Sequence, residues 1–246
     1  MRRRITGAER RARAACLAGL VVFALPAVAP AAAGTLHSTY IDPEVLALQR
    51  VLPPPPEADS EMQRADLRAV EAAVGARTPD DERRITANLP CTLDRFTEVL
   101  GPAFTARAMP VTAALIERVF QDGELAVLAA KTAIGRPRPY TLEPDLATYG
   151  HRSDSTSYPS GHATFGHLAA TVLAQLVPAK RRALFAFAVG YGANRMIAGT
   201  HFPSDLEAGR IAAAVIAEAL LRDPRFQQDL GRARAEIAAA GAASAR

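Results

Sequence analysis

The sequence predicts an all-α fold, a single domain built as a helical bundle. From Ser60 onward, apolar residues recur with a helical period, and no long alternation of apolar and polar residues indicates a strand. The sequence also has no segment that repeats at a fixed period. With 246 residues, the chain is long enough for one domain with a substantial core.

Residues 1–33 are typical of a secretory signal peptide. Six Arg residues precede an uncharged apolar run, Ala14 to Leu25, and small residues follow, with a cleavage site after Ala33. The apolar run is too short to span a bilayer. The export route, general secretory or twin-arginine, stays open. These features predict a periplasmic or secreted protein.

The mature chain has a balanced charge and a single cysteine. Of 29 basic and 25 acidic residues, 23 and 24 remain without residues 1–33, which leaves a net charge of −1. We therefore expect no nucleic-acid partner. Cys91 is the only cysteine left, so no intramolecular disulfide forms and the thiol is expected to be inert. No pair of cysteines has metal-ligand spacing, and neither a metal nor another cofactor is predicted.

Residues 34–56 are predicted to be extended or irregular, because they end in four consecutive prolines. This segment is either a spacer or a strap on the domain surface, and we favour the strap. The helical domain, residues 57–246, begins near Ser60, which together with Gln63 matches a capping box. The next apolar residues predict one buried stripe, made of Met62, Ala65, Ala69, Val70, Ala73 and Val74.

Further along, Thr78 and Pro79 predict the start of a short helix. Gly123 is expected to break the following helical stretch into residues 104–119 and 121–133. A polar, turn-rich stretch, residues 140–158, predicts a loop.

The last part of the chain carries the most apolar segments. The predicted helices are 162–177, 179–197 and 204–221, followed by a more polar helix from Pro224 to Ala240. None reaches the roughly 20 apolar residues that a membrane span needs. We therefore expect no integral membrane segment in the mature chain.

Three short blocks carry the chemistry. The first runs from Lys131 to Pro139, the second is Tyr158-Pro159-Ser160-Gly161-His162, and the third is Asn194-Arg195 followed by His201-Phe202-Pro203-Ser204-Asp205. Together they supply fixed cations, two histidines and one carboxylate. Such a set can hold a phosphate, attack it and protonate the group that leaves.

The middle block lies where a loop becomes a helix. Backbone N–H groups at a helix start have no internal partner and attract anions. Gly161 allows close approach to the backbone, and Ser160 can cap the helix and donate to a phosphate oxygen. Taken alone, this block is more often an ordinary N-cap.

In the third block, His201 and Asp205 are four residues apart. The Asp205 carboxylate can hold one ring nitrogen as N–H, which leaves the other nitrogen as a directed nucleophile. Lys131, Arg195 and Arg138 are the cations expected to bind the phosphoryl oxygens, and Arg136 competes with Arg138 by proximity.

In order and spacing, the blocks resemble the type 2 phosphatidic acid phosphatase superfamily, which also contains vanadium-dependent haloperoxidases. The pattern is Lys-x6-Arg-Pro, then Pro-Ser-Gly-His, then Ser-Arg-x5-His-x3-Asp, and ten of its eleven specified positions match. Asn194 stands in place of the usual Ser. The proline run and the residues before Pro159 are most similar to the secreted bacterial class A non-specific acid phosphatases, although Ser157 and Ala163 depart from that pattern.

The resemblance implies residue roles and a reaction. His201 would be the nucleophile that forms a phosphohistidine, Asp205 its orienting partner, and His162 the acid that protonates the leaving alcohol and later activates water. The phosphate ligands it implies are Lys131, Arg138, Ser160, Gly161 and Arg195. The family needs no metal, its fold is a helical bundle, and association into a homo-oligomer is implied by resemblance alone.

The sequence thus predicts a secreted acid phosphatase for small phosphomonoesters. One alternative is a phosphatase for lipid phosphates or isoprenoid pyrophosphates, with the same site. A vanadate-dependent haloperoxidase is less favoured, because the chain is small and the blocks are closely spaced. A phosphate-binding protein without activity is also less favoured, since binding alone needs neither His162 nor His201.

Overall fold

A computed structural model describes residues 38–244, and the predicted signal peptide lies outside them. The helices, in chain order, are α1 Pro43–Leu46, α2 Leu48–Val51, α3 Glu61–Gly75, α4 Pro79–Ala87, α5 Thr97–Leu100, α6 Pro110–Ile134, α7 Pro139–Leu142, α8 Gly161–Leu176, α9 Arg181–Ile197, α10 Pro203–Arg222 and α11 Pro224–Ser244. Short 3₁₀ turns at Leu93–Phe96 and Pro178–Lys180 precede α5 and α9. No strand occurs within this described range, so the predicted all-α fold is confirmed.

Helix α8 is the centre of the bundle. It packs against α6, α9 and α10, and twelve of its sixteen residues are buried. A helix that is apolar on every side belongs inside a core rather than on a surface. The first turn of this helix contains Gly161 and His162, whereas its C-terminal half only packs in the core.

The N-terminal segment is a strap on the helical domain. The Asp122 carboxylate of α6 accepts backbone N–H bonds from Thr39 at 2.5 Å, Tyr40 at 2.8 Å and Ile41 at 3.2 Å. The side chain of Leu48 in this segment is buried. The prediction that this segment is wholly extended or irregular was wrong, because α1 and α2 each form one helical turn within it.

Two details of α3 differ from the prediction. Ser60 caps the helix by accepting the N–H of Gln63 at 3.1 Å, but the Gln63 side chain does not close a capping box, because it accepts a hydrogen bond from Arg136 instead. Of the predicted apolar stripe, only Val70 is buried. Met62 is exposed, and the buried row is Gln63, Asp66 and Val70. The buried charge of Arg136, which lies between α6 and α7, needs Gln63 and Asp66 as polar partners.

Gly123 does not break α6, which runs without interruption from Pro110 to Ile134. Leu168 of α8 approaches this glycine so closely that a Cβ there would lie 3.1 Å from its Cδ2 atom. The glycine therefore permits helix packing, which offsets the lower helix propensity on which the predicted break was based. None of the described helices is long and apolar enough to cross a membrane.

Helices α8 and α10 lie close together at Gly209. A Cβ at this position would lie 2.7 Å from the carbonyl oxygen of Ser160 and 2.9 Å from the Cβ of Ala163. We expect Gly209→Ala to lower the free energy of unfolding by about 1–3 kcal/mol, because the two helices must separate. Urea unfolding measures this change.

The matched control is Gly190→Ala in α9. A Cβ at Gly190 meets nothing within 4 Å, so the substitution is expected to leave the free energy of unfolding unchanged or to raise it by up to about 1 kcal/mol. Equal effects at the two glycines would contradict the close packing of α8 on α10.

Candidate active site

The three sequence blocks meet at one cavity of about 590 Å³. Six of the eight predicted site residues line it, namely Lys131, Arg138, Gly161, His162, Arg195 and His201. Asp205 and Ser160 lie behind the wall and are completely buried. The cavity is therefore assembled from α6, the start of α8, the end of α9 and the residues just before α10.

His201 is fixed on both sides of its ring. Its Nδ1 lies 3.3 Å from Oδ2 of Asp205, and its Nε2 lies 3.2 Å from Nη1 of Arg138. Because the carboxylate accepts and the guanidinium only donates, these partners favour the tautomer with the proton on Nδ1 and a lone pair on Nε2. Burial lowers the pKa of His201 to about 3, so the ring is neutral even in acid.

Asp205 holds both His201 and its own helix. Its Oδ2 accepts the N–H of Phe202 at 2.8 Å, which caps α10, and its Oδ1 accepts a hydrogen bond from Arg136 at 2.6 Å. Burial alone would raise the pKa of this carboxyl, but the His201 hydrogen bond and the Arg136 charge lower it overall. The carboxylate is thus ionised and rigidly placed.

Sequence reasoning missed Asp66 altogether and did not predict the contact of Arg136 with Asp205. Arg136 donates to Asp66 at 2.9 Å as well as to Asp205, and its guanidinium lies 4.2 Å from the centre of the Phe202 ring. It faces away from the cavity, whereas Arg138 lines it, which resolves the competition between the two arginines. The available signal was the i, i+3 spacing of Gln63 and Asp66 on one face of α3.

The cavity contains three cations that have no carboxylate partner among residues 38–244. The ammonium of Lys131 donates to the Thr156 carbonyl, Arg138 donates to the carbonyl of Thr200 at 2.9 Å, and Arg195 donates to the carbonyl of Ile85 at 3.1 Å.

The electrostatics of these groups favour a bound anion. The Nε of Arg195 is buried and has no hydrogen-bond partner in the described part of the chain. Burial lowers the pKa of Lys131 to about 7 and also lowers the pKa values of Arg138 and Arg195. Buried cations without a partner are unfavourable unless an anion compensates their charge. This end of the cavity therefore favours the binding of an anion.

His162 lies on the first turn of α8, across the same cavity. Its Nε2 is 3.3 Å from the carbonyl oxygen of Leu89, and its ring stacks on Tyr191 with the centroids 5.8 Å apart. Burial, and then the nearby Arg195 charge, lower the pKa of His162 to about 4. A bound anion would raise this pKa, because it favours the protonated ring.

Ser160 and Cys91 are two further residues that the sequence analysis considered. Ser160 caps α8 through a 3.4 Å bond from the N–H of Ala163 and is not in the cavity wall, so its contact with phosphate stays a prediction. Cys91 does line the cavity, and burial raises the pKa of its thiol to about 11, as expected for an unreactive cysteine.

Lys131, Arg138 and Arg195 form an anion cradle that faces His162 and His201. The sequence of the chain is also similar to those of known proteins. The model of the PAP2 superfamily matches residues 109–229. The non-specific acid phosphatase of Providencia stuartii is 30% identical over 198 residues, which cover 76% of this chain and 79% of that protein. The non-specific acid phosphatase of Salmonella typhimurium LT2 is 28% identical over 229 residues, with coverages of 88% and 91%.

A shorter similarity, 37% identity over 103 residues, links the chain to the lipid A 1-phosphatase of Rhizobium johnstonii and covers 40% of this chain and 42% of that one. The chain therefore belongs to the PAP2 superfamily. It is an enzyme, a phosphatase of this superfamily.

Proposed function

We propose that the protein is a secreted acid phosphatase that hydrolyses phosphomonoesters through a phosphohistidine intermediate. The observation that carries the proposal is the position of His201. Its ring is held between Asp205 at Nδ1 and Arg138 at Nε2, at the wall of a cavity that also contains His162 and the three cations without a carboxylate partner in residues 38–244. Binding alone would need the cations but neither histidine.

In the first step, the Nε2 lone pair of His201 attacks phosphorus, and the bond from phosphorus to the ester oxygen breaks. The leaving oxygen takes a proton from His162. Asp205 stabilises the positive charge that develops on the His201 ring, because it accepts the Nδ1 proton. The charge on the phosphoryl oxygens is balanced by Lys131, Arg138 and Arg195.

In the second step, neutral His162 removes a proton from water, and the water oxygen attacks phosphorus. The phosphorus–nitrogen bond breaks, its electron pair returns to His201, and inorganic phosphate is released. The proton gained by His162 prepares it for the next cycle. The three cations supply the positive charge that a metal supplies in other phosphatases, so the proposed mechanism requires no metal.

Acidic conditions favour both the protonation of His162 and the binding of phosphate by the cations of the cradle. His162 must be protonated to act as an acid, so the first step slows as pH rises through the pKa of this histidine in the substrate complex. Lys131 loses its charge near pH 7 in the free site, which weakens phosphate binding in the same direction. Secretion is proposed from the signal-peptide pattern in residues 1–33, and it places the enzyme in the periplasm or outside the cell.

Lipid phosphates are the second candidate substrates, because much of the cavity wall is apolar and one relative is named a lipid A 1-phosphatase. The test compares hydrolysis of p-nitrophenyl phosphate with that of micellar phosphatidic acid, both with EDTA at about pH 5 to 6. We expect EDTA-resistant hydrolysis of the soluble ester that declines above neutrality. Hydrolysis of the micellar lipid alone, or loss of activity in EDTA, would contradict the proposal.

A further inference from the structure

The cavity is much larger than a phosphoryl group bound in the cradle requires. About 590 Å³ is the size of a site for a drug-sized ligand, and the cations and histidines line only part of it. The rest of the wall is mainly apolar, lined by Ile85, Leu89, Phe120, Val127, Phe165 and Leu168. A substrate whose phosphoryl group lies in the cradle therefore has space in the cavity for a sizeable leaving group.

One carboxylate, that of Glu124, interrupts this apolar wall. Phe120, Glu124, Val127 and Lys131 all line the cavity from α6, so they share one face of that helix. Glu124 is seven residues from Lys131, two helical turns, which places the two backbone positions about 10 Å apart along the axis. The carboxylate thus lies on the same wall of the cavity as Lys131, about two turns of α6 away from it.

The carboxylate of Glu124 has no hydrogen bond or ion pair with any group in residues 38–244. Burial raises the pKa of its carboxyl, and Glu124 lines the same cavity as Cys91. An acidic group that is partly buried without a partner is unfavourable for the free protein. A ligand group that donates a hydrogen bond or carries a positive charge would compensate it.

We propose that Glu124 determines leaving-group specificity: it favours phosphomonoesters whose alcohol carries an amine about two helical turns from the phosphate, and it rejects alcohols that carry an anion there. The inference rests on the proposed phosphatase activity. An amine would pair with the carboxylate in a site of reduced polarity, whereas a carboxylate or a second phosphate on the leaving group would be repelled. The phosphoryl end of the substrate is unaffected, because the cradle binds it separately.

Three alkyl esters test the proposal, since they differ only at the far end of the leaving group. They are 6-aminohexyl phosphate, hexyl phosphate and 5-carboxypentyl phosphate, assayed at pH 6.5. For the wild type, kcat/KM is expected to decrease in that order. Glu124→Gln keeps the side-chain shape without the charge, and we expect it to lower the ratio of amine to acid kcat/KM by about tenfold or more.

Glu117→Gln is the matched control, because Glu117 lies two turns earlier on α6, is exposed and does not line the cavity. Its amine-to-acid ratio is expected to equal that of the wild type. The proposal is overturned if Glu124→Gln retains the wild-type ratio, or if Glu117→Gln lowers the ratio equally. If the wild type hydrolyses none of these esters nor p-nitrophenyl phosphate, the phosphatase proposal itself fails, and the specificity inference fails with it.

Discussion

Replacing His201 by alanine is expected to lower kcat for p-nitrophenyl phosphate by about 10⁴-fold or more, the scale found when the nucleophile of a covalent mechanism is removed. The loss is large because the proposed mechanism assigns the attack on phosphorus to His201 alone, which Asp205 and Arg138 orient. Steady-state release of p-nitrophenol measures the effect.

His167→Gln is the matched control for this substitution. His167 is a buried histidine on α8 that does not line the cavity, so its replacement is expected to change kcat only by a small factor. Thermal unfolding of both variants shows whether a loss of activity reflects a loss of folding. Comparable kcat values for His201→Ala and the wild type would mean that the nucleophile is elsewhere.

Replacing His162 by alanine is expected to give different results with different leaving groups. For hexyl phosphate, an alkoxide cannot leave without a proton, so kcat is expected to fall by about 10²- to 10⁴-fold, the usual contribution of general acid catalysis. For p-nitrophenyl phosphate, the phenolate leaves unprotonated. The first step is then preserved, and only the attack of water is slowed.

Rapid-mixing kinetics of His162→Ala should therefore show a burst of p-nitrophenol of one equivalent per site, followed by slow turnover. The pH profile provides a second readout, since the decline above neutrality that depends on His162 should be weakened in the variant. An equal loss in the first turnover with both substrates would show that His162 positions the substrate and does not transfer the proton.

Local patterns predicted the fold well where the helices are apolar. The expected helices at 162–177, 179–197 and 204–221 correspond to α8, α9 and α10, because a buried helix carries its signal on every turn. The errors occurred where a contact between residues that are distant in sequence determines the local structure. Gly123 is helical because Leu168 packs on it, and Met62 is exposed because the polar side of α3 turns toward Arg136.

The cavity-lining residues of the candidate site were predictable because the three blocks have fixed internal spacing. The Asp66–Arg136–Asp205 contacts were not, since they join residues about 70 positions apart that carry no local signal. Glu124 was not singled out either. A single glutamate on a helix usually faces solvent, and only the packing of α6 beside α8 places this one in a cavity wall.

Direct trapping of the phosphoenzyme is the measurement we would make first. The wild type and His162→Ala would be mixed with p-nitrophenyl phosphate carrying radioactive phosphorus, quenched in alkali during turnover and digested to peptides. We expect label on the peptide that contains His201, stable in alkali and lost in acid as phosphohistidine requires, and no label when His201 is also replaced. Turnover without protein-bound label, or label on another residue, would contradict nucleophilic catalysis by His201.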